Sequence, residues 1–169
     1  GLEEKIVDLQ FRGMTVMIID DSLPLLTVMN KRLEKLGCQN ILSYDDPGQA
    51  IDAFKAMARK PQIVITDLSM PNLTGDQVIA EMAQLSGDKP PRFILYSGNP
   101  APTKADDPVN RVIQKYKADF VQKGAGESRF NERIMAVAKE ILCDLPPSAP
   151  QTISAGEENV DLQGDPYYY

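Results

Sequence analysis

The chain has 169 residues, 43% apolar and 25% charged, with a formal net charge of -6 and no histidine. That length holds one globular domain with some excess, and the acidic balance removes the general electrostatic footprint of nucleic-acid binding. Without histidine, Ser-His-Asp and Cys-His catalysis, His-ligated zinc and a role as phosphohistidine donor are excluded, so any chemistry falls to carboxylates.

Along the chain, residues 1–13 come first and carry Leu2, Ile6 and Leu9 on one helical face, which predicts a short docking helix or the end of a longer linker helix. Thr15–Ile19 is a continuous apolar run and reads as a buried strand that stops at Asp20-Asp21. Leu25, Leu26, Met29, Leu33 and Leu36 then recur at helical spacing up to Gly37, a C-terminal cap. Residues 41–44 form a short second strand, and Asp46-Pro47 opens a helix that turns Ile51, Ala53, Phe54, Met57 and Ala58 inward. The third strand, Ile63–Thr66, ends at Asp67, and Val78, Ile79, Met82 and Leu85 define the helix after it. A fourth strand over 93–96 ends at Ser97. A polar loop over 98–108 with three prolines follows, then a helix marked by Val109, Val112, Ile113 and Tyr116. Residues 120–122 are a brief fifth strand ending at Lys123, and the last helix lines up Phe130, Ile134, Val137, Ile141 and Leu142.

Continuous apolar strands alternating with helices imply a parallel sheet covered on both faces, joined by right-handed crossovers. The expected fold class is α/β, a flavodoxin-like (βα)5 doubly wound sheet of order 2-1-3-4-5. Residues 145–169 hold four prolines and four acids but no Lys or Arg, and they show no periodicity. They read as a disordered tail. The expected organisation is an N-terminal extension over 1–13, one domain over 14–144 and the tail. No apolar run approaches the roughly 20 residues needed to cross a bilayer. Two cysteines, Cys38 and Cys143, make no disulfide framework and suit a reducing, cytoplasmic compartment.

Ligand crevices in open parallel sheets lie at the carboxyl ends of the strands. Here those ends deliver Asp20 and Asp21 from the first strand, Asp67 from the third, Ser97 from the fourth and Lys123 from the fifth. Crowded carboxylates repel one another unless a cation intervenes, and an all-oxygen set favours a hard divalent ion such as Mg²⁺. The Ser97 hydroxyl and Lys123 ammonium are donors suited to phosphoryl oxygens. Together they point to phosphoryl transfer onto a carboxylate nucleophile, with Asp67 the central candidate.

The segments Asp20-Asp21, Asp67-Leu68-Ser69-Met70-Pro71-Asn72-Leu73-Thr74-Gly75, Tyr96-Ser97-Gly98 and Phe120-Val121-Gln122-Lys123 resemble the CheY-like receiver domain of two-component response regulators over about residues 14–144. The resemblance implies that Asp67 is the phosphoacceptor. It implies that Asp21 and Asp67 bind Mg²⁺ directly with the Ser69 backbone carbonyl, and that Asp20 acts through water. Lys123 and Ser97 would contact the phosphoryl oxygens, Gly98 would leave room for the donor, and Phe120 would be an aromatic switch. The implied partners are a sensor histidine kinase or phosphotransfer protein and a downstream protein target. The target, or a second copy in a homodimer, would use the surface of the fourth helix, fifth strand and fifth helix of the βα unit, with no direct contact to nucleic acid or membrane. Such a module is no enzyme beyond its own phosphorylation and dephosphorylation. It would be a stand-alone regulator or a receiver from a larger protein such as a hybrid kinase.

Three features depart from the family pattern. Gly124 replaces the usual proline after the lysine, so a trans peptide or altered loop is expected there. The 98–108 loop is long, and Tyr116 stands where glycine is common before the fifth strand. Two other functions compete. A degenerate receiver would serve only as a protein-binding scaffold. A haloacid-dehalogenase-type phosphatase would need Asp-x-Asp, where this chain has Asp20-Asp21-Ser22.

Overall fold

In the computed structural model, which describes residues 1–144, the elements run α1 (Leu2–Arg12), β1 (Thr15–Ile19), α2 (Leu23–Lys35), β2 (Asn40–Tyr44), α3 (Pro47–Ala56), β3 (Ile63–Thr66), α4 (Gly75–Leu85), β4 (Arg92–Ser97), α5 (Pro108–Tyr116), β5 (Asp119–Gln122) and α6 (Glu127–Asp144). The five strands form one parallel sheet of order β2-β1-β3-β4-β5, the doubly wound flavodoxin-like arrangement expected from the strand–helix alternation. Residues 1–139 make one compact unit, and the last described residues, 140–144, fall in a second. The tail expected over 145–169 lies outside the described residues. No described helix is long and apolar enough to cross a membrane.

Three helices start by the same local device. Ser22, Asp46 and Asp107 each accept a backbone N–H from the first turn, and a proline pre-set to helical φ sits in that turn. β2, β4 and β5 start earlier than the apolar runs suggest, and β4 also extends to Ser97, because the polar residues at those ends pair in the ladder with neighbouring strands. At the sheet edge Arg92 meets Asp119 at 3.3 Å.

Strand residues alternate between two cores. Met17, Ile19, Val64, Phe93 and Leu95 pack with Ile51, Phe54, Val78, Ile79 and Met82. Val16, Ile18, Ile63, Ile65 and Ile94 are buried on the opposite face, where Tyr96 meets Phe130 of α6. The left-handed residue before β5 is Lys117 (φ 54), not its neighbour Tyr116.

The N-terminal helix expected over residues 1–13 forms as α1. Leu2, Ile6 and Leu9 stay 77%, 42% and 63% exposed, while Val7 and Phe11, one helical turn apart, are buried. Their spacing puts them on the opposite side of α1 from the Leu2-Ile6-Leu9 stripe. Gly37, just after α2, has φ +103, a conformation that calls for glycine.

Candidate functional site

Sheet register builds the site. Ile19 pairs with Thr66, so Asp20 and Asp67 both follow the last paired residue of adjacent strands. The Asp67 backbone N–H donates to Ile19 O at 2.8 Å, and Asp20 N–H to Tyr44 O at 3.1 Å. Beyond Asp67 the loop turns back on itself: Gly75 N–H donates to Leu68 O at 2.8 Å. A Cβ at Gly75 would collide with the Asp67 carbonyl oxygen and lie 2.8 Å from Leu95 Cδ2, so the loop needs glycine there. The left-handed Asn72 (φ 73) makes the turn between them.

Asp20, Asp21 and Asp67 each offer a carboxylate oxygen within 4.8 Å of the others; Asp20 and Asp67 are buried and Asp21 is exposed. Lys123 Nζ donates to Asp20 Oδ2 at 2.9 Å and to Asp67 Oδ1 at 3.1 Å. Backbone amides complete the cradle: Ser22 N–H reaches Asp20 Oδ1, and Leu68 N–H reaches Asp67 Oδ1, both at 2.9 Å. Burial, and then the Asp20 carboxylate, push the Asp67 carboxyl above the ordinary aspartate range; Lys123 and the Leu68 amide offset this only in part. Burial disfavours the Lys123 charge, but Asp20 and Asp67 outweigh it and hold its pKa above the ordinary lysine value. Lys123 is therefore a fixed ammonium.

Three carboxylates, two of them buried, against one ammonium give a formal excess of two negative charges. The donor set is oxygen only. Both facts fit a hard divalent cation such as Mg²⁺.

The remaining candidates lie around this cluster. Ser97 is buried at the end of β4, and its Oγ accepts the Asn99 N–H at 3.1 Å, turned to its own loop. Ser69 is exposed two residues beyond Asp67. Phe120 is half-buried against the core and pairs in register with Leu95. Gly98 is exposed, and a Cβ there would meet nothing within 4 Å, so any need for room at this position concerns the donor and not the fold. No peptide bond among the described residues is cis, so Lys123-Gly124 is trans, and Lys123 still reaches both acids through a single 3-10 turn, Lys123–Ala125.

The structure adds residues that the sequence reading did not single out. Tyr96 is buried, its hydroxyl accepts Arg32 Nη1 at 2.9 Å, and Lys123 Nζ lies 5.8 Å from its ring centre. Alternation along β4 places Tyr96 opposite Leu95, but no local pattern links it to an arginine 64 positions earlier.

The sequence profile described as "Response regulator receiver domain" matches residues 16–135. Protein PilG of Pseudomonas aeruginosa is 35% identical over 92 residues, 52% of this chain and 63% of PilG. Ethylene receptor 2 of Oryza sativa subsp. japonica is 30% identical over 110 residues, 62% of this chain but 14% of the receptor. The match thus spans less than two thirds of either relative. The crystal structure of the receiver domain of histidine kinase CKI1 from Arabidopsis thaliana, complexed with Mg²⁺ and BeF₃⁻, superposes with a TM-score of 0.61 at 19% identity, covering 78% of this chain and 95% of that one.

Proposed function

Because the chain belongs to the response regulator receiver family of two-component signalling, we propose that Asp67 accepts a phosphoryl group from a phosphohistidine on a partner kinase or phosphotransfer protein. The observation that carries this reading is the Lys123 ammonium held between Asp20 and Asp67 beside three converging carboxylates. Lys123 and the Leu68 amide both engage Asp67 Oδ1, leaving Oδ2 as the attacking atom. An oxygen lone pair forms the O–P bond. The P–N bond breaks, its electron pair returns to the imidazole nitrogen, and that nitrogen takes a proton from solvent.

Asp21, Asp67 and the Ser69 carbonyl would hold Mg²⁺ directly, with Asp20 acting through water. Bound there, Mg²⁺ supplies positive charge against the phosphoryl oxygens. Lys123 moves its hydrogen bond from Asp67 to a phosphoryl oxygen, a charge-assisted contact with a stronger acceptor. Ser97 rotates its hydroxyl from Asn99 to the phosphoryl group. The space it leaves lets Phe120 settle inward, shifting the population of conformations at α5, β5 and α6, where a target protein or a second copy docks.

Incubation with acetyl phosphate and Mg²⁺ tests this. One hydroxylamine-labile phosphoryl group should be gained by mass spectrometry, and none by Asp67→Asn. A wild-type chain that binds Mg²⁺ but gains no mass would be a scaffold, and an adduct surviving Asp67→Asn would place the nucleophile elsewhere.

A further inference from the structure

Lys123 stands at the head of an unusually free piece of backbone. It opens a three-residue turn that contains Gly124 and is followed by Gly126 at φ +95, and a Cβ at either glycine would meet nothing within 4 Å. Such a segment gives its lysine little backbone restraint. Of the contacts that fix the ammonium, the one to Asp67 is altered when that carboxylate becomes an acyl phosphate. Two other contacts involve groups that phosphorylation leaves chemically unaltered: the ion pair with Asp20 at 2.9 Å, and an aromatic ring. Lys123 Nζ sits 5.8 Å from the centre of the Tyr96 ring, within cation–π reach.

That ring is itself braced from two helices. Arg32 of α2 donates Nη1 to the Tyr96 hydroxyl at 2.9 Å and lies 5.5 Å over the Phe130 ring of α6. Phe130 in turn meets Tyr96 edge-on at 5.3 Å. Edge-to-face pairing and the guanidinium contact both hold the Tyr96 ring plane. We propose that Tyr96 is a positioning residue: its ring, fixed by Arg32 and Phe130, holds the Lys123 ammonium over the phosphoacceptor in place of a rigid loop. The effect on phosphotransfer rests on the reading of Asp67 given above, whereas the effect on Lys123 does not.

Two measurements on the full chain separate these. In the first, brief reductive methylation followed by peptide mass spectrometry reads the reactivity of Lys123 without metal or phosphodonor. Tyr96→Leu, which removes the ring, should raise that reactivity about threefold to tenfold, and Tyr96→Phe, which keeps the ring and its Phe130 contact but loses the Arg32 hydrogen bond, should raise it by no more than about twofold. In the second, Tyr96→Leu should slow phosphorylation by acetyl phosphate by about the same factor while the calorimetric Mg²⁺ affinity stays within about twofold, because Lys123 donates no lone pair to the metal. Tyr96→Phe should keep the rate within about twofold of wild type. Should Tyr96→Leu not fold, Arg32→Met removes the brace and should raise Lys123 reactivity about twofold. Equal Lys123 reactivity in all folded variants overturns the proposal, as does a Tyr96→Phe variant as reactive as Tyr96→Leu. Raised reactivity in a protein whose wild type takes no phosphoryl group supports the role of Tyr96 and rejects the phosphoacceptor reading instead.

Discussion

Asp67 carries an uncomfortable charge in the metal-free protein. Burial and Asp20 raise its pKa from the ordinary 3.8, so the folded chain holds a proton on it more tightly than the unfolded chain does. A raised carboxyl favours the fold below the unfolded value, and that contribution is lost as pH rises through the folded value. Near neutral pH the ionised group is therefore a net burden, and Asp67→Asn should stabilise the metal-free protein. The gain should vanish below pH 3.8, where both states are protonated. Urea titrations at pH 7 and in acid check the direction; a variant less stable at pH 7 would mean that the Lys123 and Leu68 contacts outweigh burial. Mg²⁺ must displace that same proton, so its affinity should weaken on acidification from above the ordinary aspartate range.

Two glycines near the site show how differently one residue type can be constrained. Gly75→Ala drives a methyl group into the Asp67 carbonyl and Leu95, and should cost about 1–3 kcal/mol while displacing the loop that carries Ser69. Gly98→Ala points into open space and should change stability by less than about 0.5 kcal/mol. Equal unfolding midpoints for the two variants would contradict the packing described here. The sequence reading gave Gly98 a role toward the donor and Gly75 none, since the collision at Gly75 comes from a strand 20 residues later as well as from Asp67.

At the scale of elements, strands and helix starts were readable because their causes are local: unbroken apolar runs, acid or serine caps and prolines in first turns. The end of α3 was not. Its last carbonyls are gathered by Lys60, whose Nζ donates to Phe54 O at 2.6 Å and Met57 O at 2.8 Å while lying 4.9 Å from the centre of the Phe54 ring. A cation suits that terminus both as a donor and against the negative end of the helix dipole. Lys60→Met keeps the aliphatic stem and removes the charge, and should lower unfolding stability by about 1–2 kcal/mol. A midpoint unchanged in urea would reduce Lys60 to a surface residue. The apolar pattern carries the helix on through Met57 and Ala58, past its observed end at Ala56, because spacing does not signal a lysine beyond the helix turning back onto its carbonyls.

Across the whole molecule the open question is where the cooperative unit begins. The βα alternation suggests residue 14, with the preceding helix an appendage whose leucine–isoleucine stripe seeks a surface. Burial argues for an earlier start: Phe11 has no exposed surface and Val7 only 7%. Hydrophobic spacing reveals that a helix has an apolar face, not which of two faces meets the body. Val7 and Phe11 are a single pair, too sparse to stand out beside Leu2, Ile6 and Leu9. If α1 is part of the fold, Phe11→Ala should cost about 3–5 kcal/mol, a large fraction of a typical domain's stability, and should unfold the sheet and α1 in one transition. The combined Leu2→Ala, Ile6→Ala and Leu9→Ala variant, which removes far more apolar surface from α1, should unfold close to the wild-type midpoint because that surface already faces water. Far-ultraviolet dichroism and tyrosine fluorescence in urea compare the two. The reverse ranking, with the stripe variant destabilised and Phe11→Ala neutral, would return the boundary to residue 14 and make α1 a linker.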